Sequence, residues 1–176
     1  MKTRQIAADA MLIAMYFVLS ATVSLNLGNM KITFDSLPII LAGALFGPVD
    51  GLLVGLLGSF LNQLYSYGLT LTTVLWIIPA GVRGLLIGLY ARHYSFNMSM
   101  KQTQFITVST AIITTVLNTA VMYIDSKYYG YYTPAYVFGM LIPRFISGII
   151  IAAIFGALLP HIVKPLRNFL ISRKEH

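Results

Sequence analysis

The chain lacks cysteine and is poor in charged residues. Its 176 residues include no Cys, so disulfides and thiolate metal sites are excluded. Charged residues make up 10% of the chain, well below the about 25% of soluble domains. Only 5 residues are Asp or Glu, and no paired carboxylates mark a metal site or an acid–base pair. This chain cannot cover itself with a polar surface.

Motifs for catalysis and for nucleotide binding are also missing. The sequence has no G-x-x-x-x-G-K-[ST] loop that would cradle ATP phosphates. His93, His161 and His176 are isolated, and no H-E-x-x-H motif is present. We therefore predict that the chain is not an enzyme and holds no cofactor or metal. The net charge of +7 is more typical of topological bias in a membrane protein than of nucleic-acid binding.

Apolar residues dominate what remains. They make up 57% of the chain, with a mean hydropathy of +0.79, which predicts an all-α integral membrane protein. Residues 1–176 are expected to form a single six-helix transmembrane domain. The predicted spans are residues 6–25, 36–47, 48–65, 69–91, 104–123 and 135–160. Gly47-Pro48 separates the second span from the third, because glycine suits a helix end and proline suits a first turn.

Positive charges predict the topology. Lys and Arg flank both ends of the chain: Lys2, Arg4, Lys164, Arg167, Arg173 and Lys174. The positive-inside rule then places both termini in the cytoplasm, which requires an even number of spans. Arg92 and Lys101 also lie on the cytoplasmic side only if residues 36–65 cross the membrane twice. Six spans result.

Two arginines within predicted spans are the strongest functional signal. Arg83 is expected about 20 Å and Arg144 about 15 Å from the outer ends of their helices. A guanidinium at such a depth costs roughly 2.5–3.5 kcal/mol on insertion scales. We expect no acidic side chain at the depth of these arginines, which favours a water-accessible cavity and an anionic ligand. The alternative is that they bond to carbonyls freed by Pro79 and Pro143, or extend to an interface.

Aromatic and amide side chains gather toward the same side of the predicted bundle. Trp76 lies seven residues before Arg83, a spacing that places both on one helix face. Further candidates are Asn62, Tyr65, Asn118 and Tyr123. For most tyrosines of residues 128–132, the alternative to a binding role is an aromatic belt at the membrane interface. For Asn62 and Asn118, the alternative is hydrogen bonding between helices. Together, cations, amides and flat rings suit a planar heterocycle that bears a carboxylate.

The first span carries a stripe of small residues. Ala7, Ala10 and Ala14 share one face and let another helix approach closely. That helix belongs either to a partner protein or to the chain itself.

These features resemble a known family. The alanine stripe in ADAMLIA and the block LPIILAGALFGPVDGLLVGLLGSFLNQL are similar to the S components of energy-coupling factor (ECF) vitamin transporters. ITFDSLPIILAGALFGP together with LTLTTVLWIIPAGVRGLLIGLY most resembles the folate-type branch. The resemblance implies a vitamin pocket in the outer halves of helices four to six and the loops after helices one, three and five. It also implies a T component, which packs on the alanine motif matched by Ala10 and Ala14, and two ATPase subunits.

Within this resemblance, each candidate receives an expected role. Arg83 and Arg144 are expected to hold carboxylates or carbonyls of folate, and Trp76, Tyr65 and Tyr123 to wall its rings. Asn62, Asn118 or Asp35 would read the amide edge of the pterin. Lys31 would contact the glutamate tail or close the first loop.

The alternatives are an S component for pantothenate, pyridoxine or a thiamine precursor, and a structural membrane subunit that binds no vitamin. The expected location is a prokaryotic plasma membrane, in contact with lipid and without a nucleic-acid partner.

Overall fold

The computed structural model describes residues 3–27 and 30–172, except for the side chains of residues 4, 24–27, 30–33, 164 and 168–172. Its helices are α1 Thr3–Thr22, α2 Ser36–Phe46, α3 Pro48–Tyr67, α4 Thr73–His93, α5 Met100–Tyr128, α6 Pro134–Phe138 and α7 Leu141–Ser172. Six of these helices have 11 residues or more. The predicted all-α class is confirmed, and four stretches within the described residues are long and apolar enough to cross a membrane: Gln5–Thr22, Thr73–His93, Met100–Tyr128 and Pro134–Arg167.

The segment after α1 differs from the prediction of a plain loop. Strands β1, Ser24–Leu27, and β2, Met30–Thr33, pair antiparallel, with Ser24 opposite Thr33. The first helix therefore ends at Thr22 rather than at residue 25. Backbone pairing satisfies the polar groups of this segment before α2 begins.

Helix α5 begins earlier than predicted because of a capping box. The Ser99 hydroxyl accepts from the Gln102 backbone N–H at 3.3 Å, and the Gln102 side chain accepts from the Ser99 N–H at 2.8 Å. This reciprocal pair satisfies two free donors at the helix start. The predicted last span is divided, because α6 ends at Phe138 and α7 begins at Leu141 and continues past Pro160.

The predicted break between α2 and α3 coincides with a turn at Gly47. Its φ of 114° lies in the region that favours glycine, and Pro48 opens α3. Apolar side chains of α2, α4, α5 and α7 form the buried core beside this turn, among them Ile40, Ile87 and Leu159. The turn therefore brings α2 and α3 side by side against α4.

Glycines set the contact between α3 and α4. A Cβ at Gly84 would overlap the Gly51 carbonyl, and a Cβ at Gly51 would overlap the Gly84 carbonyl. The two backbones therefore touch, which fixes the height of Arg83, the neighbour of Gly84, relative to α3.

We expect Gly84→Ala to lower the free energy of unfolding by about 3 kcal/mol, because a rigid backbone cannot yield to the added methyl group. Thermal unfolding of the purified protein in detergent measures the effect. Gly148→Ala is the matched control, since its nearest neighbour would be the Thr115 hydroxyl at 3.5 Å, an ordinary contact. Equal melting temperatures for the two variants would contradict the close packing of α3 on α4.

Candidate ligand-binding cavity

A cavity of about 740 Å³ lies among the helices of the described chain. This volume is within the range of about 300–1,000 Å³ that is typical of small-molecule sites. All six long helices line it, and polar groups are prominent in its wall. The polar and aromatic lining residues are Tyr16, Ser20, Asp35, Ser36, Ser59, Asn62, Gln63, Tyr67, Thr70, Thr72, Trp76, Arg83, Thr114, Thr115, Asn118, Asp125, Tyr129, Tyr131, Tyr136, Arg144 and Ser147.

Both arginines that the sequence predicts to lie within spans line this cavity. Arg83 comes from the middle of α4 and Arg144 from the first turn of α7. A guanidinium of Arg144 donates to the Met122 sulfur at 3.0 Å, a weak acceptor. The buried Nε of Arg83 has no hydrogen-bond partner among the described residues. Two cations thus converge on one space from helices that are distant in the sequence.

The expectation that no acid lies at the depth of the arginines is wrong. Asp35 and Tyr16 are close enough to Arg83 to interact with it electrostatically. Asp35 precedes α2 but does not cap it with its side chain, and it lines the same cavity as Arg83. Residue spacing along one helix cannot show this, because α2 and α4 meet only in the tertiary structure. Arg83 therefore has a protein counter-charge.

A second acid, Asp125, occupies the wall and was missed by the sequence reasoning. Its Oδ1 accepts from the Thr72 hydroxyl at 2.5 Å and from the Trp76 indole N–H at 3.3 Å. Its Oδ2 accepts from the Tyr131 hydroxyl. A signal was present, since Asp125 follows Asn118 by seven residues and so shares its helix face.

The structure brings together six of the predicted site residues. Arg83, Arg144, Trp76, Asn62, Asn118 and Asp35 all line the cavity. They come from α2's start, α3, α4, α5 and α7. The common face that the sequence predicts for Trp76 and Arg83 is thus also a cavity wall.

Three predicted residues are not placed in the cavity wall. Tyr65 is 71% exposed and packs edge-on against Phe17, with ring centroids 5.3 Å apart. Tyr123 is 41% exposed and packs against Tyr132. It precedes Asp125 by two residues, about 200° around the helix, so it points away from the cavity face. The side chain of Lys31 lies outside the described part of the chain.

The alanine stripe of α1 is exposed. Ala7, Ala10 and Ala14 all lie on the surface, together with Met11, which is 73% exposed. Tyr16 is buried on the opposite side and lines the cavity. The alternative that the stripe packs within the chain is therefore wrong for the described structure. Whether a partner covers it stays a prediction.

Apolar helices around one polar cavity define a membrane-embedded binding protein. The family model for the S component of ECF-type riboflavin transporters matches residues 1–165. The chain belongs to this family. S components are binding subunits of transporters.

Solved structures share the fold. The chain is similar to FolT in its crystal structure with folic acid, with a TM-score of 0.66, 21% identity and 88% of each chain covered. At this identity the likeness concerns the fold alone. It is also similar to the S component of a bacterial ECF transporter, with a TM-score of 0.64, 25% identity and coverage of 97% of this chain and 99% of the other.

Curated relatives match over shorter segments. A UPF0397 protein of Leuconostoc citreum is 38% identical over 87 residues, 48% of this chain and 45% of the relative. A UPF0397 protein of Lacticaseibacillus casei is 35% identical over 77 residues, 42% of this chain and 39% of the relative. The chain spans about half the length, or less, of the curated relatives it matches.

Proposed function

We propose that the chain captures folate in this cavity and delivers it to an ATP-driven uptake complex in a prokaryotic plasma membrane. The observation that carries the proposal is the convergence of Arg83 and Arg144 on one space that also holds aromatic rings and amides. Folate combines a flat pterin with a glutamate tail that bears two carboxylates. The carboxylates of folate therefore suit the arginines, and its pterin suits the aromatic rings and amides.

Each end of folate has complementary groups in the wall. Arg144 is only partly buried, so we assign it to a tail carboxylate. Asp35, Asn62 and Asn118 offer the acceptors and donors that the amide edge of a pterin requires. Trp76 supplies a flat face for stacking. The fold that the chain shares with FolT, whose crystal structure contains folic acid, supports this proposal.

The transport partners follow from the exposed alanine face. Ala10 and Ala14 leave a shallow surface on α1 that a helix of a T component can approach closely. The sequence has no nucleotide-binding loop of its own, so ATP hydrolysis is assigned to two partner ATPase subunits. The α2 and α3 segments complete the six proposed spans, at residues 36–47 and 48–65.

Riboflavin is the second candidate, because the matching family model is described by that vitamin. Its tricyclic ring suits the same aromatic wall, and its ribityl hydroxyls suit the amides. It carries no carboxylate, so it gives Arg144 no ionic partner. We therefore favour folate.

Ligand identity is tested on purified protein. The ultraviolet spectrum and the mass of extracted ligand, followed by calorimetric titration with folate, riboflavin and pteroate, separate the candidates. A pterin-bearing ligand that binds more tightly with its glutamate than as pteroate supports the proposal. Riboflavin in the extract, or pantothenate, pyridoxine or a thiamine precursor, would overturn the folate assignment. Failure of every vitamin to bind would favour a structural subunit.

A further inference from the structure

Asp125 connects three parts of the cavity wall that are far apart in the sequence. It lies near the end of α5 and is 6% exposed. Thr72 belongs to the connection before α4, Trp76 to the first turn of α4, and Tyr131 to the connection after α5. All three donate to its carboxylate, and all three line the cavity. We call these four residues the Asp125 cluster.

We propose that Asp125 is a positioning residue that ties the segment 129–133 to α4, so that the Asp125 cluster retains a bound ligand by holding Tyr131 in the cavity wall. This inference rests on the proposed function for its ligand and deepens it with a control on ligand release. Asp125 acts through its neighbours, because each of its two oxygens already accepts hydrogen bonds from the protein.

The α4 side of the cluster is well anchored. The Thr70 backbone N–H donates to the Thr73 hydroxyl at 2.9 Å, and Thr72 and Thr73 are 5% and 3% exposed. Trp76 is held from two directions, since its indole meets Asp125 and its carbonyl accepts from the Ser59 hydroxyl at 3.5 Å. This side is expected to stay in place when the other side moves.

The Tyr131 side has a built-in turning point. Gly130 has a φ of 79°, and no atom lies within 4 Å of where its Cβ would be. The backbone at Gly130 thus has the left-handed conformation that favours glycine, and it lies in open space. The Tyr131 backbone N–H donates to the Ser126 carbonyl at 3.0 Å, within its own segment and α5. The Tyr131 hydroxyl donates to Asp125, which also binds Thr72 and Trp76, so this bond links the segment to the α4 side.

Tyr131 is suited to act as a permanent donor. Tyr131 is 43% exposed, and its partial burial and the neighbouring Asp125 carboxylate raise the pKa of its phenol above the usual value of about 10. It therefore keeps its proton across the physiological pH range. Loss of a hydrogen bond to a charged acceptor should change the opening equilibrium of this segment by about tenfold or more.

The chain offers a direct reporter of this link. Trp76 is the single tryptophan of the sequence and is itself part of the cluster. In ligand-free protein, we expect Tyr131→Phe to at least double the quenching of Trp76 fluorescence by acrylamide, because local opening exposes the indole. Tyr132→Phe makes the same chemical change one residue away, where the ring packs on Tyr123 outside the cavity, and should leave quenching unchanged.

Ligand release is measured next, by stopped-flow fluorescence with folate. Tyr131→Phe should raise the dissociation rate about tenfold while changing the association rate less than threefold. Thr72→Val removes a donor from the anchored side and should act in the same direction, which guards against a defect peculiar to one variant. Unchanged quenching and unchanged dissociation in Tyr131→Phe would overturn the inference. Failure of the unaltered protein to bind folate would overturn the folate proposal instead. The quenching result would still decide whether Asp125 holds the segment 129–133 to α4.

Discussion

Replacement of Arg144 by glutamine is expected to weaken folate binding by roughly 10- to 150-fold, because a charge-assisted pair with a tail carboxylate is worth about 1.5–3 kcal/mol. Arg144 lines the cavity from the first turn of α7, and its guanidinium donates to the Met122 sulfur at 3.0 Å. Calorimetric titration of the purified variant in detergent measures the loss. Pteroate lacks both glutamate carboxylates and keeps only the carboxylate of its benzoate ring, so it should lose less than about threefold if Arg144 pairs with the glutamate tail.

Arg144→Lys is the matched control for charge. It keeps a cation but lacks the planar fork of the guanidinium, so an intermediate loss is expected. An equal loss for folate and pteroate would place Arg144 at the pterin end or in a purely structural role. Arg83 is a poorer choice for this test, because it already interacts with Asp35 and Tyr16 inside the protein. Its removal would take away a charge that interacts with Asp35 and so disturb the cavity itself.

Replacement of Ala10 by tryptophan is expected to abolish folate uptake and to leave folate affinity unchanged. Ala10 lies on the exposed face of α1, whereas Tyr16 and Ser20 of the same helix line the cavity. An indole on this face would keep a partner helix from the close approach that small residues allow. Uptake of labelled folate into proteoliposomes that contain the T component and both ATPases measures the effect, beside titration of the isolated protein.

Ile150→Trp is the matched control for Ala10→Trp. Ile150 is 54% exposed on α7, so the substitution adds a bulky ring to an apolar surface on a different helix. Normal uptake in this variant and loss in Ala10→Trp would assign the coupling contact to α1. Equal loss of binding and uptake in Ala10→Trp would show that the substitution disrupts the fold, and equal loss of uptake in both variants would contradict a specific coupling face.

Several structural features were predictable because they are local properties of the chain. Gly47-Pro48 predicts a helix break wherever the two segments pack, since both residues act through their own backbone. The spacing of Trp76 and Arg83 places them on one face because the helical period is fixed. Both statements agree with the structure, in which α3 begins at Pro48 and both side chains line the cavity.

Predictions that depended on contact between distant segments were less successful. No acid was expected at the depth of the arginines, because Asp35 precedes a helix and was placed near a span end, yet it interacts with Arg83. Tyr65 and Tyr123 were chosen as aromatic neighbours of polar residues, but a shift of one or two positions turns a side chain to another face of the helix. The pairing of β1 with β2 was also missed, because short strands carry a weak sequence pattern.

The sequence by itself indicated that the chain is an all-α membrane protein. It also indicated that two arginines in predicted spans require a polar environment. Low charge and long apolar runs impose these properties, because a bilayer satisfies no backbone or ionic group. Only the tertiary structure decided which groups share the cavity. Close contact of Gly51 with Gly84 sets α4 against α3, and the Asp125 cluster joins α5 to α4. These relations arise from packing between helices, which the periodicity of a single helix does not encode.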